Sequence, residues 1–210
     1  MKVLAIGAHH DDIETGCGGS LLVHSQNNDS VHTVIVSESG FCGSDGQEVR
    51  SSSKAKEENE VAATILGVEK TTTLGFKTND VTFDESLVLG IRKIIDNFEP
   101  DLVYSHWGGD AHLDHCNVAR ATIAACRHVP SILTYQSNWY KGTIAFNPAY
   151  YRDISRTFEL KIKALKAYEG EFSRRGQDWI RFIESTNSLY GLQCSVRWAE
   201  AFEVVRMTAL

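Results

Sequence analysis

The chain reads as an α/β protein, a Rossmann-like and mainly parallel sheet flanked by helices, in one domain over residues 1–210. Three observations lead there. Short aliphatic or β-branched runs alternate with helix-like segments along the whole length, which is the pattern of a parallel sheet with crossover helices. No Pro- or Ser-rich stretch divides the chain. A length of 210 residues with 42% hydrophobic composition suffices for one well-buried core.

The elements follow in order. Residues 2–8, Lys-Val-Leu-Ala-Ile-Gly-Ala, read as a short buried strand, and 18–25 as a helix. The β-branched run 31–37 is a second strand. Residues 38–53 are rich in Gly, Ser and charge and too long for a tight connection, so they read as a loop over a site. A helix is expected over 54–66, with Val61, Ala62 and Ile65 on its apolar face, and a strand over 71–76. The helix at 85–97 is closed by Pro100 before a strand at 101–106. A further helix runs through His115 to Ala124, followed by a strand at 131–135, a long helix around 160–168 and a last strand at 201–207.

Composition excludes several classes. A formal net charge of -6 argues against a general polyanion binder, and no Lys/Arg cluster interleaved with aromatics suggests nucleic acid. Arg174 and Arg175 read as a solvated helix face. Nothing approaches the roughly 20 apolar residues of a membrane span, and the run 3–8 is too short for a signal segment. The five cysteines, at 17, 42, 116, 126 and 194, form no CxxC pair and no even disulfide pattern, which fits a reducing cytoplasm. Trp107, Trp139 and Tyr140 fall on expected loops at strand ends, where an aromatic suits stacking on a small-molecule ring or closing the edge of the core, and an exposed aromatic edge is compatible with a homo-oligomer.

Chemistry concentrates in two clusters, His9-His10-Asp11-Asp12 and His112-Leu113-Asp114-His115, each just after an expected strand. Open α/β sheets present their sites at such strand ends. One Asp in a turn commonly caps a helix. Two clusters of His and Asp are harder to explain so, because gathering buried charges is costly unless a metal or partner offsets them. Three His/Asp ligands with an open position suit a catalytic metal, and the leftover groups supply a base and an acid. Asp11 and Asp12 are adjacent, so from a turn they can point in different directions. His112 and His115, three apart at a helix start, share one side. On the residues alone two other readings stay open. One is a two-metal phosphoesterase or lactamase-type hydrolase, with Asp110 leading the Asp-Ala-His-Leu-Asp-His run. The other is a nucleotide-binding module built on Gly16-Cys17-Gly18-Gly19, although that stretch lacks the G-x-G-x-x-G spacing and a P-loop Lys.

The stretch Val3–Glu14 followed by Gly16-Cys17-Gly18-Gly19 resembles the Ala-His-Pro-Asp-Asp signature of the PIG-L/LmbE-like zinc-dependent N-deacetylases, and His112-Leu113-Asp114-His115 is similar to that family's His-x-Asp-His motif. Weaker echoes lie at Glu58, Lys161 and 199–202. The resemblance implies that His9, Asp12 and His115 hold Zn2+, that Asp11 is the general base, and that His112 stabilises the oxyanion or donates a proton with Asp114 as its partner. Fe2+ or Co2+ suits the same donors. The implied reaction removes an N-acetyl group from an amino sugar or its conjugate. His10 stands at the family's Pro position, Ala55 replaces a basic residue, Tyr168 a histidine and Gly170-Glu171 a Ser-Gln pair, so the far wall of the pocket is expected to differ.

Overall fold

Aliphatic side chains at every position of a strand demand a sheet covered on both faces, and the N-terminal strand meets that demand. Val3 and Ala5 enter one core with Leu21, Leu66, Ile162 and Trp179. Leu4 and Ile6 enter the other with Leu87, Ile91, Val118 and Ile132. The computed structural model describes residues 1–208, so the last two positions of the expected 1–210 domain lie outside the described residues. In chain order it holds β1 (Lys2–Gly7), α1 (Asp12–Gln26), β2 (Ser30–Ser37), β3 (Phe41–Cys42), β4 (Glu48–Arg50), α2 (Ser52–Leu66), β5 (Lys70–Phe76), α3 (Glu85–Phe98) and β6 (Leu102–His106). Then come α4 (Leu113–Ala125), β7 (Ser131–Tyr135), β8 (Tyr150–Asp153), α5 (Phe158–Lys166), α6 (Glu169–Arg175), α7 (Gln177–Cys194) and β9 (Ala199–Arg206).

The sheet order is β5-β2-β1-β6-β7-β9-β8, with β3 and β4 forming a separate hairpin. β5, β2, β1, β6 and β7 are mutually parallel. β9 runs antiparallel to both β7 and β8, so one edge departs from the parallel pattern.

Several elements differ from the sequence expectation. α1 begins at Asp12 rather than at residue 18 and therefore contains three glycines. Glycine weakens a helix interior, but tertiary contact explains it here. A Cβ on Gly16 would lie 2.1 Å from the Tyr135 ring, and one on Gly19 would meet Ile154 at 2.9 Å. In α2, Val61 is exposed, and the buried face is Ala55, Glu58, Asn59, Ala62 and Leu66. Its polar members were hidden from an apolar-periodicity reading because their partners are distant in sequence. The 38–53 segment folds into the β3–β4 hairpin and the first residues of α2. β8 and α7 had no sequence expectation, and α6 only the helix face read at Arg174 and Arg175. Thr186, Asn187, Ser188 and Gly191 interrupt the apolar stripe of α7, which consists of Trp179, Ile180 and Ile183.

A buried ion pair fastens α1 to the far side of the fold. Lys161 Nζ lies 2.6 Å from Glu200 Oε1 and donates to the Thr15 carbonyl at 2.9 Å. Glu200 in turn accepts from the Gly19 and Ser20 amides at 2.8 and 2.7 Å. Both side chains are essentially inaccessible to water. Removing one partner of such a pair strands the other charge. Lys161→Met should therefore lower the unfolding free energy by about 3–5 kcal/mol, read from the urea midpoint at constant m-value.

Candidate active site

β1 and β6 are neighbours whose chains leave toward opposite edges of the sheet, β1 continuing to β2 and β6 to β7. This is the switch point at which open α/β sheets form a crevice at their carboxyl ends. Both sequence clusters converge on it. His9 to Asp11 form the turn between β1 and α1, and His112 caps the N-terminus of α4, its Nδ1 accepting the Asp114 amide at 3.2 Å. Asp11 sits in a left-handed conformation, φ 106°, a placement non-glycine residues seldom adopt without a local reason. That turn separates the two adjacent carboxylates. Asp12 faces the histidines, its Oδ2 also accepting the His9 amide at 2.8 Å, while Asp11 faces Arg175, with Oδ2 at 3.3 Å from the guanidinium.

Three donors meet closely. His9 Nδ1 lies 3.3 Å from Asp12 Oδ2, His115 Nε2 lies 3.3 Å from Asp12 Oδ1, and the two ring nitrogens face each other at 3.3 Å. Each imidazole has its remote nitrogen on another carboxylate: His9 Nε2 on Asp114 at 2.9 Å and His115 Nδ1 on Asp110 at 3.1 Å. A carboxylate on the remote nitrogen holds the ring proton there and turns the opposite lone pair inward, as around a metal ion. Two inward lone pairs and a carboxylate fit one divalent cation of the zinc type. A second group, His9, His112 and Asp114, has similarly close donors. Asp114 is already engaged there, accepting the Asn79 and Val81 amides at 2.8 and 3.2 Å besides the His9 proton.

The protonation pattern tells the same story. Burial works against charge on His115, but Asp12 and the Asp110 hydrogen bond prevail and push it up to about 10. His9 is likewise raised, despite burial, by Asp114 and Asp12. A place that draws protons onto two facing nitrogens is a place that draws a cation. His106 behaves oppositely. Burial, then the charge on His115, pushes it down to about 4. Its Nε2 accepts the Ala8 amide at 2.9 Å and its ring stacks on His115, the centroids 4.0 Å apart.

The remaining expected residues fall as follows. Asp11 is 3% exposed, and burial against the opposing pull of Arg175 pushes its carboxyl up to about 6. His112 borders the cleft and is lowered by burial and by the charges on His115 and His9, which favours neutral imidazole. Its expected pairing with Asp114 is not formed, because Asp114 is spent on His9 and two backbone amides. With Nδ1 accepting from the backbone, the neutral ring carries its proton on Nε2. His10 turns the other way, its Nδ1 on Ser39 Oγ at 2.7 Å.

A cleft of about 510 Å³ opens over these groups. Phe41, Trp139 and Tyr140 line it together with Arg50, Arg174 and Arg175. The reading of Arg174 and Arg175 as a solvated face holds for Arg174, which is exposed at the cleft rim, and is corrected for Arg175, which is half-buried against Asp11. The 38–53 segment does reach the cleft, through Ser39, Phe41 and Arg50. Trp107 instead packs inward on Phe146. Three contacts at the site were not expected from the sequence: Asp110 on the remote nitrogen of His115, and Arg50 and Glu171 in the ion-pair network of the cleft wall. Only the spacing of Asp110 to His115, both flanking a helix start, held a signal for the first.

The metal-free protein should show two extreme histidines. In an NMR pH titration His115 should remain cationic up to about pH 9, since its raised value keeps the proton below that point, while His106 should remain neutral down to about pH 5. Ordinary mid-range titration of both would contradict this geometry.

Fold and site together define an α/β protein with a His/Asp cluster suited to a metal at the sheet's switch point. The chain belongs to the PIG-L family, described as GlcNAc-PI de-N-acetylase, whose model matches residues 4–126. It is 34% identical over 176 residues to a protein of Escherichia coli (strain K12) described as the uncharacterized deacetylase YaiS, covering 80% of this chain and 90% of that one. It is 25% identical over 222 residues to the diacetylchitobiose deacetylase of Thermococcus kodakarensis, covering 97% and 83%. The solved N,N'-diacetylchitobiose deacetylase from Pyrococcus horikoshii superimposes with a TM-score of 0.84 at 23% identity, over 97% of this chain and 83% of that one.

Proposed function

We propose that this protein is a metal-dependent amidohydrolase that removes an N-acetyl group from an amino sugar or amino-sugar conjugate, giving the free amine and acetate. The observation that carries the reading is the convergence of His9 Nδ1, His115 Nε2 and the Asp12 carboxylate, with the separate Asp11 carboxylate beside them at the base of the cleft. Membership of a family described by de-N-acetylation selects the reaction among metal-assisted hydrolyses. His9, Asp12 and His115 would hold the ion, zinc by donor set, with iron or cobalt acceptable to the same atoms. Such an ion supplies Lewis acidity toward an amide carbonyl and lowers the pKa of water.

The chain's own residues supply the rest. Asp11, buried and not engaged with the histidines, accepts the proton of the attacking water. His112, neutral with its proton on Nε2, donates a hydrogen bond to the developing oxyanion. The proton held by Asp11 passes to the leaving amine. Phe41, Trp139 and Tyr140 offer ring faces to a sugar, and Arg50 and Asn79 polar edges. The two donor groups share His9, which favours one ion over two. No helix among the described residues is long and apolar enough to cross a membrane, and the unpaired cysteines fit a reducing compartment.

Acetate release from a panel of N-acetylated amino sugars by zinc-loaded protein tests the function. Turnover that is lost on chelation and restored by the metal is the expected result; cleavage of phosphoesters or lactams in place of these amides would overturn it. His115→Ala should lose most bound metal by elemental analysis while remaining folded, and full occupancy would refute this ligand set. Asp114→Asn and Asp110→Asn should weaken metal affinity about 10- to 100-fold. Asp11→Asn should keep its metal and lose about 10²–10⁴ in turnover, and near-normal turnover would remove Asp11 from the role of base.

A further inference from the structure

We infer that Arg175 is a positioning residue, which holds the Asp11 carboxylate away from Asp12 so that it faces the cleft as a base. The inference rests on the reading of Asp11 given above. It concerns a residue beyond the segment that the family model matches, which ends at residue 126.

The geometry is specific on both sides of the contact. Asp11 Oδ2 is buried and makes no hydrogen bond of good geometry; among the described residues the cation within ion-pair distance is Arg175, Nη2 at 3.3 Å, with Arg50 farther off. The adjacent Asp12 is occupied by His9 and His115, so an Asp11 carboxylate released from Arg175 has the same cluster as its nearest alternative. Arg175 is itself fixed. Its Nε donates to Glu171 at 2.9 Å, and its guanidinium lies 5.0 Å from the Trp179 ring centroid and 6.0 Å from that of Trp139. Glu171 is also held, by Arg174 and, at 3.7 Å, by Arg50. A guanidinium packed near two indoles and anchored by a buried carboxylate has little freedom to follow Asp11, so Asp11 conforms to it.

A residue that only stabilised the fold would leave the balance between kcat and KM unchanged once the protein is folded, whereas displacing a base lowers kcat with KM kept. Arg175→Ala should therefore lower kcat about 10- to 100-fold, with KM within about threefold and one equivalent of zinc retained. Arg175→Lys, which keeps the charge and is the gentler change for folding, should recover part of that loss. The deciding measurement is a double-mutant cycle with Asp11→Asn. If Arg175 acts through Asp11, Arg175→Ala should cost little more in the Asp11→Asn background, since the two form one unit. A multiplicative loss in the double variant, or a loss confined to KM, overturns the positioning role and makes Arg175 a substrate contact. That failure is distinct from failure of the base assignment, which shows as near-normal turnover in Asp11→Asn alone. A second readout needs no turnover. The visible spectrum of the Co2+ form should change in Arg175→Ala, as Asp11 joins the donor cluster, and should return toward that of Asp11→Asn in the double variant; an unchanged spectrum in Arg175→Ala counts against the role.

Discussion

The structure depends on how two imidazoles are held with one nitrogen of each turned toward the other beside a carboxylate. His9 Nδ1 and His115 Nε2 stand 3.3 Å apart, with Asp12 against both. In water such groups would be hydrated and mobile. Here they are largely withdrawn from solvent, and burial of ionisable groups is tolerated only where hydrogen bonds and opposite charge offset the lost hydration. Most of the local architecture supplies those partners. Asp110 and Asp114 take the remote ring nitrogens, the Asn79 and Val81 amides hold Asp114 in place, and the His112 amide and Asn138 do the same for Asp110. Orientation is thereby decided before any ligand arrives.

The constraint explains features that look unfavourable taken singly. The helix that starts at Asp12 carries Gly16 and Gly19 where it packs too closely on Tyr135 and Ile154 for a Cβ to fit. The Lys161–Glu200 pair, buried against that same helix, ties the Thr15 carbonyl and the Gly19 and Ser20 amides to α5 and β9. The left-handed Asp11 belongs to the same design. A backbone conformation costing of the order of 1–3 kcal/mol lets two neighbouring carboxylates serve different faces of the turn.

The cleft wall is a balanced charge system. Arg50 meets Glu58 and Glu171, Arg174 meets Glu171, and Arg175 meets Glu171 and Asp11. Every arginine of the wall thus has a carboxylate partner, so the wall presents directed donors more than net positive potential. Those donors come from α6 and from the hairpin edge at β4, elements whose placement follows from long-range packing. The Gly170-Glu171 departure from the family pattern falls within this network: the Gly170 amide donates to Glu58 at 2.9 Å.

The sequence by itself determined the strands that build the parallel core, since short apolar or β-branched runs such as 3–6 and 132–135 need cover on both faces. It also determined which residues could meet, because His9, Asp11, Asp12, His112, Asp114 and His115 all follow strands that end at one edge. Local spacing even anticipated that Asp11 and Asp12 diverge. Tertiary structure alone decided the partners. Asp114 belongs to His9 and not to its neighbour His112, because the loop at 79–81 captures it from the other side. Asp110 serves His115, and Arg175 reaches Asp11 from the end of a short helix whose sequence reads as solvated surface. Hydrophobic periodicity is a property of neighbours in the chain, and so it was legible; the pairing of buried charges is a property of neighbours in space, which only the assembled sheet and its helices bring together.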